Sequence, residues 1–318
     1  MACLYRRGNI WWWEGKCGGK RYRETTRTSN KDNAQRIMER RVAELRGLQL
    51  PKIPRILILD IETAPIECYA WTYWPNFIDP MSQVVKNKDG KPKDWSILTW
   101  AAKWLFEADV HSAMVTLKEA EYRYDKSIMK DLWDLFEEAD VVVAHNGEKF
   151  DIRRINYRFA VNGFGPPSPY QSIDTLKVAK KVWGVPSYKQ DYLCREFGLT
   201  RKLDTDFELW ERCVSGDQSG LDEMLEYNKH DIFGLEDLYI TERPWIKGPV
   251  NLSMYVDNNK PYCPNCLSKE IKTLSKPYVT PAGSYESYRC MSCGTIMRNR
   301  YTEKTIDQRR NSYLPTAR

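Results

Sequence analysis

Two carboxylates stand two residues apart in Asp60-Ile61-Glu62, directly after the apolar run Arg55-Ile56-Leu57-Ile58-Leu59. On a strand, residues two apart point to the same side. The pair would therefore set two negative charges at one spot, which is unfavourable unless a hard cation offsets them or water solvates the strand end. Tyr227 and Asp231 are four apart in a helical pattern and share a face. Towards the other end, Cys263-Pro264-Asn265-Cys266 and Cys290-Met291-Ser292-Cys293 form two knuckles separated by 23 residues. Four thiolates on two tight turns suit a tetrahedral structural Zn²⁺, with no open position for catalysis. Either knuckle alone could be a redox pair; two together favour metal.

The elements that must hold these groups are visible as periodicity. Residues 55–59 have the length and continuous apolarity of a strand buried on both faces. Asp140-Val141-Val142-Val143-Ala144 repeats that pattern and leads through His145-Asn146-Gly147-Glu148-Lys149-Phe150 to Asp151, where a helix-like stretch to Phe159 begins. A longer helical pattern from about Leu221 to Tyr239 carries Tyr227 and Asp231. Strand-like and helix-like segments alternate from Arg55 to about Arg243, as in an α/β domain. Asp174 precedes a helical run, Leu176 to Trp183, and reads as a cap rather than a ligand. Lys177, Lys180 and Lys181 beside it could meet phosphates or simply be solvated. His145 and His230 neighbour the motifs and read as packing or hydrogen-bonding residues.

Asp-x-Glu at a strand end, then Asn-x-x-x-Phe-Asp, then Tyr-x-x-x-Asp resembles the three motifs of ribonuclease H-like 3′→5′ exonucleases. It is most similar to the tyrosine-bearing DEDD subgroup, which includes the proofreading domains of family B DNA polymerases. The histidine-bearing subgroup would need His five residues before the last Asp, where this chain has Glu226. The resemblance spans residues 55–243 and implies a ribonuclease H-like mixed sheet with flanking helices. It also implies hydrolysis of DNA phosphodiesters, with release of nucleoside monophosphates, by two Mg²⁺ or Mn²⁺ ions. Such ions activate water and neutralise charge on the leaving oxygen and the phosphate. On that basis Asp60 bridges both ions, Glu62 and Asp231 complete the water-activating one, and Asp151 holds the second. Tyr227 orients water or the phosphate, its ordinary pKa near 10 arguing against a general base. Thr63, Asn146 and Phe150 position the substrate strand, Phe150 being equally a core candidate. The same carboxylates would serve a structure-specific endonuclease or an RNase, and a non-catalytic DNA-binding recruiter could keep the fold.

Residues 1–47 read as three short strands, Leu4–Arg7, Ile10–Glu14 and Lys20–Thr25, with turns at Gly8-Asn9 and Gly15 to Gly19. A helix follows, with a capping box at Ser29 and Asp32 and with Ala34, Ile37, Met38, Val42 and Leu45 on one face. A sheet covered by one helix leaves its other face open, holding some of Arg6, Arg21 and Arg23. The runs Gly8 to Trp12 and Gly19 to Thr25 make this module similar to the N-terminal arm-binding domains of phage integrases, which implies DNA contact through Arg21 and Arg23. Residues 260–300 resemble a zinc ribbon, with strand-like stretches at Tyr285–Arg289 and Thr295–Arg298. A module this small has little core without metal. Its basic surface with Tyr285, Tyr288, Arg289, Arg298 and Arg300 would suit nucleic acid or protein. Residues 48–54 read as a Pro-punctuated linker, Pro244 to Tyr262 as a loop, and residues 301–318 as a polar, frayed tail.

The 318 residues are 42% hydrophobic and 29% charged, enough for a packed core. No apolar run nears the roughly 20 residues of a membrane span, and Arg6-Arg7 precede a tryptophan run rather than a secretory core. Nine cysteines, an odd number with four in the two Cys-x-x-Cys knuckles, fit a metal site in a reducing, cytoplasmic setting rather than a disulfide scaffold. The net charge of +6 is uneven: residues 1–50 hold 12 basic against 5 acidic side chains, residues 251–318 hold 11 against 5, and the middle is acidic. Basic ends suit a polyanion. The expectation is DNA as partner, either single-stranded or as the 3′ end of a duplex, with replication or recombination proteins as further partners and no membrane. A phage or mobile-element origin, in a host cytoplasm, follows by association only.

Overall fold

The computed structural model describes residues 2–28, 31–48, 54–73, 77–248, 250–255, 261–280 and 283–312. They fall into two compact units, one through Ile240 and one from Thr241.

The first unit opens with strands β1 (Cys3–Arg7), β2 (Ile10–Cys17) and β3 (Lys20–Thr25), an antiparallel sheet in that order. Helix α1 (Lys31–Leu45) packs on it through Ala34, Ile37 and Met38, all buried. β2 runs three residues beyond the expected Glu14 and takes Gly15 into the sheet opposite Tyr22, so only Gly18 and Gly19 make the turn. Register separates the arginines. Tyr5, Trp12, Glu14, Arg21 and Arg23 share the open face, whereas Arg6 pairs with Trp11 on the face that carries the buried Trp13. Ser29 and the 49–53 part of the expected linker lie outside the described residues.

Next come β4 (Ile56–Thr63), β5 (Ile97–Trp104), β6 (His111–Met114), α2 (Leu117–Tyr122), α3 (Lys126–Glu138), β7 (Val141–Ala144), α4 (Asp151–Val161), β8 (Gln171–Asp174), α5 (Thr175–Val182), α6 (Gln190–Glu196), α7 (Phe207–Val214) and α8 (Gln218–Glu242). The strands form a mixed sheet in the order β6-β5-β4-β7-β8, with β4 antiparallel to β5 and parallel to β7. β4, central and apolar, is sealed on both faces, which is why its sequence shows no alternation. β5 is buried throughout, including Lys103, whose ammonium meets Glu236 at 2.6 Å. Two charges survive there because each has the other, and Glu236 also accepts from the Phe106 amide. The long β4–β5 connection keeps Trp71 and Tyr73 almost fully exposed.

The N-terminal sheet and the mixed sheet are joined inside this unit. Thr28 donates to the buried Asp237 of α8, and Arg40 of α1 pairs with Glu107 at 2.6 Å.

The second unit holds two 3₁₀ turns, Arg243–Trp245 and Leu252–Tyr255, where a plain loop was expected. Beyond them lie β9 (Ile271–Thr273), β10 (Tyr278–Thr280), β11 (Gly283–Tyr285), β12 (Ser287–Cys290), β13 (Ile296–Arg298) and α9 (Ile306–Ser312). The expected strand Tyr285–Arg289 is two strands broken at Glu286, one paired with β10 and the other with β9 and β13. The expected frayed tail contains α9. No helix among the described residues is long and apolar enough to cross a membrane.

Candidate active site

Three carboxylates converge at the end of β4. One oxygen each from Asp60, Glu62 and Asp231 lie within 4.8 Å of one another. β4 supplies two of them on one side of the strand, and the register with β5 shifts between Glu62 and Thr63, which re-aims the strand end. α8 supplies the third. Nearly every α8 side chain from Tyr227 to Tyr239 is buried, so the helix runs through packed surroundings. Gly234 makes that possible: a Cβ there would meet the Thr200 carbonyl at 2.7 Å. Asp151, first residue of α4 and 3% exposed, stands beside this group and accepts from the Ile61 amide at 3.3 Å. Ile61 lies between Asp60 and Glu62, so one backbone amide ties Asp151, which is outside the 4.8 Å group, to the strand that carries two of its members.

The turn into α4 is shaped for this. Asn146 adopts a left-handed φ of 64°, which asparagine tolerates better than most residues. Gly147 follows where a Cβ would fall 2.4 Å from that of Ala144. The Asn146 amide donates to Asp174 at 2.9 Å, and the same Asp174 oxygen caps α5 through Leu176 at 3.0 Å. Asp174 is therefore a cap, as its position suggested. Burial drives the electrostatics. It raises Asp60 and Asp231 above the usual carboxylate range, Glu62 to about 8 and Asp151 to about 7, with repulsion between the carboxylates adding to the effect on Asp60 and Glu62. Burial likewise raises the Tyr227 phenol.

Several contributors carried no sequence signal. Asn228 donates to Asp60 Oδ2 at 2.7 Å, and its own oxygen accepts from Thr99 at 3.1 Å, which fixes the amide orientation. Its one legible hint is a polar residue on an apolar stretch of helix. Lys202, from the segment between α6 and α7, pairs with Asp231. Burial opposes its charge, but Asp60 and Asp231 outweigh that and raise its pKa. Arg154 donates to Thr63 Oγ1 at 2.7 Å and lies 4.0 Å over the Phe150 ring. Phe150 is half-buried and packs against the core. His145 sits between the Thr175 hydroxyl at 2.8 Å and the Tyr188 carbonyl at 2.9 Å, and burial lowers its pKa to about 4. His230 donates to the Arg201 carbonyl at 2.8 Å. Arg21 and Arg23 are not at this site. They project from the open face of the N-terminal sheet, Arg23 bonded to the Tyr5 hydroxyl at 2.6 Å and Arg21 paired with Glu14 at 3.1 Å.

This donor set fits divalent cations. All four groups are hard oxygen donors, and Asp231 Oδ1 is buried with no hydrogen-bond partner among the described residues. Cys263, Cys266, Cys290 and Cys293 form a separate cluster. Cys263 and Cys293 sulfurs are 3.6 Å apart, as are those of Cys266 and Cys290. Zn–S bonds of about 2.3 Å in a tetrahedron require sulfurs about 3.8 Å apart, so the spacing fits zinc. Asn265 braces the cluster, donating to Thr295 at 2.7 Å and accepting from Arg243 at 2.9 Å.

Residues 97–241 match the family model described as RNase_H superfamily, and residues 3–45 match that of the phage integrase N-terminal domain. The chain carries an RNase H-like domain. The matched span includes Asp151, Tyr227 and Asp231 and begins after the strand bearing Asp60 and Glu62. No curated protein sequence matches the chain. Among solved structures, the family B DNA polymerase from the hyperthermophilic archaeon Pyrobaculum calidifontis aligns over 62% of this chain and 26% of its own, at 15% identity and a TM-score of 0.39. This chain therefore spans about a quarter of that polymerase. Exonuclease X in complex with 5′ overhanging duplex DNA aligns over 58% of this chain and 92% of its own, at 17% identity and a TM-score of 0.30.

Proposed function

We propose that this chain is a divalent-cation-dependent 3′→5′ exonuclease of the DEDD tyrosine type, acting on DNA and releasing nucleoside monophosphates. The observation that carries this reading is the meeting of Asp60, Glu62 and Asp231 within 4.8 Å, with Asp151 tied in beside them. Asp60, Glu62, Asp151 and Asp231 would hold two Mg²⁺ or Mn²⁺ ions. Such ions, when bound, activate water and stabilise charge on the phosphate and the leaving 3′-oxygen.

The rest of the work falls to side chains already in position. Asn228 holds Asp60 in one orientation, and the Ile61 amide does the same for Asp151. Tyr227, its pKa raised by burial, keeps its proton at neutral pH and acts as a hydrogen-bond donor to water or phosphate rather than as a base. Thr63, Asn146 and Phe150 line the approach of the strand. Arg21 and Arg23, on a face shared with Tyr5 and Trp12, grip the DNA backbone away from the cleavage point. The four cysteines hold one structural Zn²⁺. An integrase-like N-terminal domain beside such a site suits phage or mobile-element DNA metabolism in a cytoplasm, with replication or recombination proteins as partners.

The test is incubation with end-labelled single-stranded and duplex DNA and RNA, with Mg²⁺, Mn²⁺ or chelator. Stepwise release of mononucleotides from 3′ ends, abolished by chelator, is expected. Cutting of a closed single-stranded circle would replace the exonuclease by an endonuclease, and preference for RNA would replace the substrate.

A further inference from the structure

The outer face of α4 continues the site beyond Asp151. Phe150, Arg154 and Tyr157 recur at helical spacing and share that face. The Arg154 guanidinium is clasped between two rings, 4.0 Å over Phe150 and 4.7 Å over Trp95. Trp95 in turn meets Tyr157 with ring centroids 5.5 Å apart at a 45° tilt, and Tyr157 is 52% exposed. Among the described residues the Arg154 guanidinium forms no salt bridge, and its hydrogen bond to Thr63 is the only one it makes. This leaves a cation with free N–H groups, flanked by half-exposed rings, starting one residue before a carboxylate of the site.

That composition selects its occupant. Flat rings offer faces to flat partners, and an unpaired guanidinium offers charge-assisted hydrogen bonds to an anion. A duplex keeps its bases stacked on one another and presents no free faces. An apolar peptide would leave the guanidinium without an anion. A single nucleic-acid strand supplies both ring faces and phosphates at short, regular spacing.

We propose that the unpaired 3′ segment of the substrate lies along α4, with bases stacked on Trp95 and Tyr157 and a phosphate on Arg154. This deepens the nuclease reading and rests on it, and it assigns the single strand to a track outside the three sequence motifs.

The test uses the full-length Asp60→Asn protein, in chelator-free buffer without divalent cations, and oligothymidylates carrying one 2-aminopurine at successive positions from the 3′ end. Quenching confined to a few bases near the 3′ end is expected. Tyr157→Ala and Trp95→Ala should abolish it at those positions and weaken single-strand affinity about tenfold each, the range typical of removing one base–aromatic stack. Trp95→Phe, which keeps a ring, should restore both, so that a folding defect is told apart from the absence of stacking. Quenching that is uniform along the strand, or unchanged in the alanine variants, overturns the track. Failure of the wild type to cleave any nucleic acid with Mn²⁺ would sink the nuclease reading instead, leaving the quenching pattern to decide the track by itself.

Discussion

The carboxylate site and the cysteine cluster each offer four candidate ligands, yet on the proposed reading they stand in opposite relation to their ions. The carboxylates are held by a five-stranded sheet and a 25-residue helix whose apolar packing does not involve them. That scaffold imposes the site, and burial raises the pKa values of all four acids, with mutual repulsion adding to the effect on Asp60 and Glu62. The cysteine module has strands of three or four residues and little else inside besides the sulfurs themselves. On the proposed reading a bound Zn²⁺ would supply the stability that this module's small core lacks, whereas the carboxylate site loses stability by bringing its acids together.

The sharpest consequence concerns zinc. Structural Zn²⁺ contributes on the order of 10–16 kcal/mol to small modules. Chelation strong enough to strip zinc, or Cys290→Ser, should erase amide-exchange protection across residues 263–298 while the mixed sheet keeps its own. Retained protection in the zinc-free module would show that it folds without metal and would break the contrast.

Asp60→Ala should lower 3′→5′ release by about 10³-fold or more, as expected when a ligand to transition-state charge is removed. The domain should still fold. Residual activity within tenfold of wild type would remove Asp60 from the site.

Stability should move the other way. Asp151 has a folded-state pKa of about 7, above its unfolded value, so its contribution to stability is present below pH 4 and is lost as pH rises through 7. In chelator, melting temperature should fall between pH 5 and 8, and Asp151→Asn should be the more stable protein at pH 8 by roughly 2–4 kcal/mol. A less stable Asp151→Asn would mean that the carboxylate is held favourably without ions.

The smallest expected effect lies on the N-terminal sheet. Replacing Arg21 and Arg23 together by Gln should weaken duplex binding and reduce the salt slope by about two, one for each phosphate that is no longer neutralised. An unchanged slope would make that face a structural appendage.

The difference between the two regions also governs what could be read from the residues. β4, β7, α4 and α8 were legible because each is a uniform pattern within its own segment, and Asp60, Glu62, Asp151, Tyr227 and Asp231 sit at the ends or faces of those patterns. The Cys-x-x-Cys knuckles were legible because ligand spacing is local. Asn228, Lys202 and Arg154 were not, since each matters only through a partner brought close by tertiary folding: Lys202 is 29 residues from Asp231, and Asn228 is 168 from Asp60. Strand limits misled for a related reason. β2 runs through Gly15 because its neighbour β3 supplies partners that far, and residues 285–289 break at Glu286 because two different sheets compete for them. Cross-strand pairing, invisible in one segment, decided both.

Counting bound metals is the most direct check on the carboxylate site. Equilibrium dialysis of the full-length protein against Mn²⁺, with zinc measured in the same sample, should find two Mn²⁺ and one zinc per chain. Asp60→Asn should lose Mn²⁺ and keep its zinc. Equal Mn²⁺ in wild type and variant would contradict the convergence of these carboxylates on shared cations.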